Sequence, residues 1–136
     1  MPHWLVSSFF ALLFFGLWGF FSKLALFHLN ARAALILQTI GVILTSLFLL
    51  KGMHHRELWS IKGSHFGILT GVTYGLGCLF YLMAVDKGKL VTVVTLTALY
   101  PLITIFCSFI WLDETINLKQ ALGIGFAVLS ILLLSS

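Results

Sequence analysis

The side chains whose types suit chemistry lie inside long apolar runs: Trp18, Gln38, Tyr74, Tyr81, Thr97 and Tyr100. An indole, a carboxamide, phenols and a hydroxyl can hold a molecule by stacking and hydrogen bonds without making or breaking a covalent bond. No nucleophile–base pair, phosphate loop or metal set accompanies them, so an enzyme is not expected and no cofactor is implied. His54–His55 with Glu57 lacks a further converging ligand for a metal. No carboxylate falls in the middle of an apolar run, where it would mark a proton or cation pathway. Asp86, Asp113 and Glu114 stand at run ends. Lys23 follows Trp18–Gly19 and can be reached from an interior, so Lys23 and Glu114 are the two positions with a possible charge role. Snorkelling to headgroups is the plainer use of Lys23. His65 suits an interfacial position, and Cys78 and Cys107 suit packing.

These residues must be positioned by uncharged apolar stretches: Trp4–Ser22, Ala33–Leu50, Gly63–Val85, Leu90–Leu112 and Gln120–Ser136. A helix needs roughly 20 apolar residues, range about 17–25, to cross a bilayer. The expected fold is therefore an all-α integral membrane domain over residues 1–136. Its five transmembrane helices should lie near 4–27, 33–50, 64–85, 90–112 and 118–135. The composition agrees: 60% of residues are hydrophobic and 9% charged, against about a quarter charged in soluble domains. The first run lacks a basic leader and a small-residue cleavage site, so it should be retained as a helix. The net charge of +4 comes without a basic stripe, so no nucleic-acid partner is expected. Trp4, Trp59 and Trp111 sit near run ends as an aromatic belt, and Lys51–Lys62 reads as an interfacial loop or short helix.

Five crossings divide the cations evenly. Lys51, Arg56, Lys62 and Lys119 fall on one side, and Lys23, Arg32, Lys87 and Lys89 on the other. An excess of Lys and Arg in cytoplasmic loops normally sets orientation, and here neither side has an excess.

At about 100° per residue, the third run puts Gly67, Thr70, Gly71, Tyr74, Gly75, Gly77, Cys78 and Tyr81 on one face. Glycines at Gly63, Gly67, Gly71 and Gly75 let helix backbones approach closely. Phenols at that depth need partners, so Tyr74 and Tyr81 should point inward. The other runs carry similar stripes: Ser8, Phe15, Trp18, Gly19 and Ser22 in the first, Gln38, Gly41 and Thr45 in the second. Thr97, Tyr100, Thr104 and Ser108 follow in the fourth, then Gln120, Gly123, Ala127 and Ser130 in the fifth. Such stripes can enclose an aromatic, hydroxyl-lined interior suited to an uncharged, zwitterionic or lipophilic solute. Pro101 should kink the fourth helix and free the carbonyl of Thr97, with the Thr97 and Thr104 hydroxyls near enough to help. Asn117 can cap the fifth.

The chain resembles the EamA-domain branch of the drug/metabolite transporter superfamily. The resemblance is densest in Leu99–Pro101 (LYP), Leu112–Thr115 (LDET) and the LKQALGIGFAVLSILLLS that follows. Trp18–Gly19 with Ser22–Leu26 (SKLAL), and Phe80–Lys89 (FYLMAVDKGK), extend it over almost the whole chain. The resemblance implies a helical transporter of a metabolite, amino acid or drug-like solute, with a cavity open alternately to each side. Larger members carry two five-helix repeats in inverted orientation; one repeat is seen here, half of a ten-helix bundle. A homodimer in the bacterial inner membrane is expected, and the even cation split suggests that the copies insert in opposite directions. Trp18, Gln38, Tyr74, Tyr81, Thr97 and Tyr100 are the expected solute contacts. Gly19, Gly67, Gly71, Gly75, Pro101 and Gly123 are the expected packing or hinge positions. A proton-coupled lipophilic-cation exporter, like the small multidrug resistance proteins, is less favoured because those have four helices and need a carboxylate in the first. An assembly or lipid-handling subunit would use the glycine ladder equally well.

Overall fold

The computed structural model describes residues 3–51 and 61–135, without the side chains of residues 3, 61, 62 and 135. The expectations for Trp59, for the interfacial segment around it and for His54, His55 and Glu57 lie outside the described residues. The helices are α1 (His3–Leu26), α2 (Ala31–Leu50), α3 (Ile61–Lys87), α4 (Leu90–Thr97), α5 (Tyr100–Trp111) and α6 (Leu118–Ser135). Among the described residues, four segments are long and apolar enough to cross a membrane: Trp4–Leu26, Ala31–Leu50, Gly63–Lys87 and Leu90–Trp111. Leu118–Leu134 is a shorter apolar helix.

At the first gap, charged residues lie within the helices rather than between them. α1 runs on through Lys23, and α2 starts before Arg32. The start of α2 is fixed by Asn30, whose Oδ1 accepts from the Ala33 N–H at 2.9 Å and satisfies one of the orphan donors of the first turn. Asn117 caps α6 in the same way: the Gln120 N–H donates to its Oδ1 at 2.9 Å, and Gln120 Oε1 accepts from the Asn117 N–H at 3.0 Å. This reciprocal pair makes a capping box. α5 stops where Asp113 turns to a φ of 52°, a left-handed conformation that short polar side chains tolerate.

The fourth run is not one kinked helix. It parts into α4 and α5 at Ala98–Leu99, and Pro101 falls in the first turn of α5, where its missing N–H costs nothing. Tight turns bridge the break, with the Leu99 N–H on the Leu96 carbonyl at 3.2 Å and the Leu102 N–H on the Leu99 carbonyl at 3.0 Å. The Thr97 hydroxyl donates back to the Val93 carbonyl at 2.8 Å, so it does not serve the freed carbonyl as expected. Pro101→Ala removes the ring that blocks continuation. The variant should change stability by less than about 1 kcal/mol, because a first-turn proline is not strained. It should also slow amide hydrogen exchange across residues 98–102, as α4 and α5 join.

The chain forms two compact units, residues 1–86 and 87–136. In the first, buried residues gather where the end of α1, the start of α2 and the end of α3 meet: Ser22, Ala31, Ala34, Cys78, Tyr81, Leu82 and Val85. Leu82 and Val85 are 1% and 0% exposed. Toward the opposite ends of these helices, Phe9, Phe10, Leu47, Phe66 and their neighbours stand exposed. In the second unit α4 packs along α6, and Val93 is buried there. Exposed apolar surface on this scale is foreign to soluble monomers and suits a lipid solvent.

Among the described residues of the first unit, Gly67, Gly71 and Gly75 of the ladder meet no packing neighbour. A Cβ at Gly67, Gly71, Gly75 or Gly123 would meet nothing within 4 Å. Gly19 differs: a Cβ there would lie 3.2 Å from the Tyr81 hydroxyl oxygen. The close approach comes from one aromatic tip reaching a single glycine.

Candidate functional site

Three helices of the first unit bring Trp18, Gln38, Tyr74 and Tyr81 together. The Trp18 indole Nε1 donates to Gln38 Oε1 at 3.0 Å, from α1 to α2. Gln38 Nε2 donates to the Tyr74 hydroxyl oxygen at 3.4 Å, from α2 to α3. The Trp18 ring stacks on Tyr81 with centroids 4.7 Å apart and planes 30° apart. Such a pair adds about 0.5–1.5 kcal/mol beyond the area it buries. Gln38 is thus the polar joint of the three helices, and Trp18 is common to both the hydrogen-bonded and the stacked arms.

The two tyrosines differ in a way that their shared helix face did not reveal. Tyr74 is 47% exposed and has the Gln38 amide as partner. Tyr81 is 8% exposed, and its hydroxyl is buried without a hydrogen-bond partner among the described residues. Tyr81 therefore packs behind Trp18, whereas Tyr74 remains exposed. An orphaned phenol oxygen costs about 1–3 kcal/mol, and the stack holds it there.

Lys23 ties the same end shut. Its Nζ donates to the Val85 carbonyl at 2.8 Å, from α1 to the end of α3, and lies 5.9 Å from the centre of the Phe27 ring. A cation on the last carbonyls of a helix is also favoured by the helix dipole. Lys23→Met should lower stability by about 1–2 kcal/mol, the worth of one charge-assisted bond in a part-buried setting. Lys23→Arg should recover most of it; thermal unfolding of the two variants checks this.

Several hydroxyls expected to line the interior turn back on their own helices. Ser8 donates to the Trp4 carbonyl, Ser22 to that of Trp18, Thr45 to that of Gly41 and Thr70 to that of Phe66. Their protons are used locally, as is usual in a medium without water. Gln38 and Tyr74, by contrast, bond between helices rather than back onto their own.

Thr97, Tyr100, Pro101, Glu114 and Gly123 belong to the second unit. Tyr100 is exposed there, and the Thr97 hydroxyl is engaged with its own helix. An open groove of about 490 Å³ runs between α5, the connection after it and α6. Thr104 and Ser108 line it from α5, Gln120, Gly123 and Ala127 from α6, and Glu114 and Thr115 from the connection. The two stripes read from the sequence face each other here. Thr115 and the groove itself were missed, because periodicity within one helix cannot show which neighbouring stripe it meets.

Apolar spans with a polar cluster held between them define a multi-pass integral membrane protein. Residues 3–136 match the EamA-like transporter family, and the chain belongs to that family. Its known members are transporters of small solutes, which places this chain in a class that carries molecules across membranes. A similar protein is an uncharacterized protein of Methanocaldococcus jannaschii, 31% identical over 122 residues, covering 90% of this chain and 88% of that protein. No solved structure matches.

Proposed function

We infer that the protein moves a small organic solute, a metabolite, amino acid or drug-like molecule, by alternating access and without chemistry on it. The observation that carries this reading is the Trp18–Gln38–Tyr74 chain of hydrogen bonds across three helices. It provides a flat aromatic wall and fixed polar groups at a place where helices meet, which is how small-molecule sites are commonly built. A solute bound there would bridge helices that must move relative to one another. Trp18, Gln38 and Tyr74 make the binding face in this reading, with Tyr81 as its support. Pro101 and the glycines serve as hinge positions.

Five crossings complete the reading. α6, at 18 residues, is about 27 Å long at 1.5 Å per residue, close to the roughly 30 Å hydrocarbon core. A small mismatch of this kind is met by local thinning of the bilayer at modest cost. Two copies, one inverted, then supply the inverted repeat that places a transport site near the midplane. The equal cation count on the two sides supports this antiparallel homodimer in the cytoplasmic membrane. The open glycines Gly67, Gly71 and Gly75 would face the second copy.

A thermal-unfolding screen of the purified protein against amino acids, polyamines, nucleosides, sugars and lipophilic cations tests the solute reading. A true solute at 100 times its Kd should add about 2.7 kcal/mol of stability. A reporter fused after Ser136 tests the assembly: it should be found on both sides of the membrane, and one side alone would sink the antiparallel dimer. The Glu114-lined groove favours a second reading, export of a lipophilic cation. Proton-linked uptake of such a cation, lost in Glu114→Gln, would favour that reading over the first.

A further inference from the structure

Resting on the reading that the Trp18–Gln38–Tyr74 cluster holds the solute, we propose that it grips the solute by a hydrogen-bond acceptor, a carboxylate or carbonyl oxygen, and that Gln38 sets this preference.

The argument starts at Trp18. An indole N–H can only donate. At 3.0 Å it fixes Oε1 as the end of the Gln38 carboxamide that faces α1. The other end, Nε2, then has to face Tyr74, and it donates to the phenol oxygen at 3.4 Å. Having accepted, the Tyr74 oxygen keeps its own proton for another partner. The second hydrogen of Gln38 Nε2 is also left over, because an amide nitrogen carries two.

The cluster therefore presents two donors side by side, one from α2 and one from α3. Tyr74 is 47% exposed, so a solute can reach them. The competing acceptor for the phenol proton is the Cys78 sulfur, one turn along α3. Sulfur is a weak acceptor that an oxygen displaces. Nearby protons do not reverse the polarity: the Ser22 hydroxyl is committed to the Trp18 carbonyl at 2.7 Å, and the Tyr81 hydroxyl is buried. An ammonium group brought to Tyr74 would meet hydrogens pointing at it. A carboxylate would accept both, with its apolar body against the indole.

Gln38→Glu inverts the arrangement. A carboxylate at this position accepts from Trp18 and also from Tyr74, so the phenol turns its proton inward and its lone pairs outward. The test uses the purified full-length protein and three probes that share one apolar body: 3-phenylpropionate, 3-phenylpropionamide and 3-phenylpropylamine. Shifts in melting temperature with concentration give apparent affinities. The wild type should bind the carboxylate and the amide about tenfold or more tighter than the amine, the worth of one hydrogen bond to a charged or strongly polar group. Gln38→Glu should bind the amine in preference to the carboxylate. Should Gln38→Glu fail to fold, Tyr74→Phe decides: it should weaken the carboxylate about tenfold and leave the amine unchanged. An amine preference in the wild type overturns the polarity while leaving the site in place, provided that Trp18→Phe weakens all three probes. Binding indifferent to Trp18→Phe, Tyr74→Phe and Gln38→Glu, or no shift with any probe, overturns the site reading and this inference with it.

Discussion

Gly19→Leu is expected to separate α1 from α3 and to cost the first unit its packed end. Any side chain at this position points at the tip of Tyr81, since even a Cβ would lie 3.2 Å from the hydroxyl oxygen. Tyr81 has little room to retreat: it is 8% exposed and stacked under Trp18 at 4.7 Å. Two effects oppose each other here. Replacing glycine inside a helix gains about 0.8–1 kcal/mol of helix propensity. Overpacking a close contact costs about 1–3 kcal/mol. Alanine, with one carbon to accommodate, should come out near neutral. Leucine pushes three more carbons into the stack and should destabilise by about 2 kcal/mol or more. Thermal unfolding of the two variants in the same detergent checks the order. Gly16→Leu is the control, because its Cβ direction is open, and it should unfold like the wild type.

Trp18→Ala should have the largest effect of any single side-chain deletion. Truncating a well-packed tryptophan costs about 3–5 kcal/mol. Trp18 is only part-buried, so the lower end applies. The change also strands Gln38 Oε1, which then loses its donor at 3.0 Å, and frees the carboxamide to rotate away from Tyr74. Solute binding should therefore disappear along with about 3 kcal/mol of stability. Trp18→Phe separates the two effects: it keeps a ring over Tyr81 and removes only the donor. It should retain most of the stability, and it should lose solute binding by about tenfold, the worth of a fixed amide orientation. Equal stability and binding in Trp18→Phe and the wild type would show that the indole N–H does not orient Gln38.

Much of this was legible in the sequence because the bilayer demands it. Apolar runs of helical length gave four spans and a shorter apolar helix, and the aromatic and amide residues inside them gave Trp18, Gln38 and Tyr74. Asn117 and Gln120 carry the spacing of a capping box, and the box is there. The burial pattern was not legible. Leu, Phe and Ile occur on nearly every face, and in lipid an apolar residue faces outward as readily as inward. Periodicity therefore could not say that the first unit packs at the Trp18–Tyr81 end and not along the glycine ladder. The shared face of Tyr74 and Tyr81 was correct as helical geometry, but it left open which phenol would be covered. That depended on where Trp18 comes to rest on α3, a contact between residues 63 positions apart. The break at Ala98–Leu99 was half legible: Pro101 announced a disturbance, but its place in the first turn of a new helix depends on the tight turns before it.

Solute counterflow in proteoliposomes tests the central claim most directly. Vesicles loaded with a high concentration of a solute that stabilises the purified protein are diluted into a trace of the same solute carrying a label. A transporter that exposes one site alternately to each side predicts transient accumulation of label far above that in protein-free vesicles, and loss of that accumulation in Trp18→Phe. Label that enters no faster than into protein-free vesicles, with the protein folded and the solute bound, would contradict transport and leave only a binding role for the cluster.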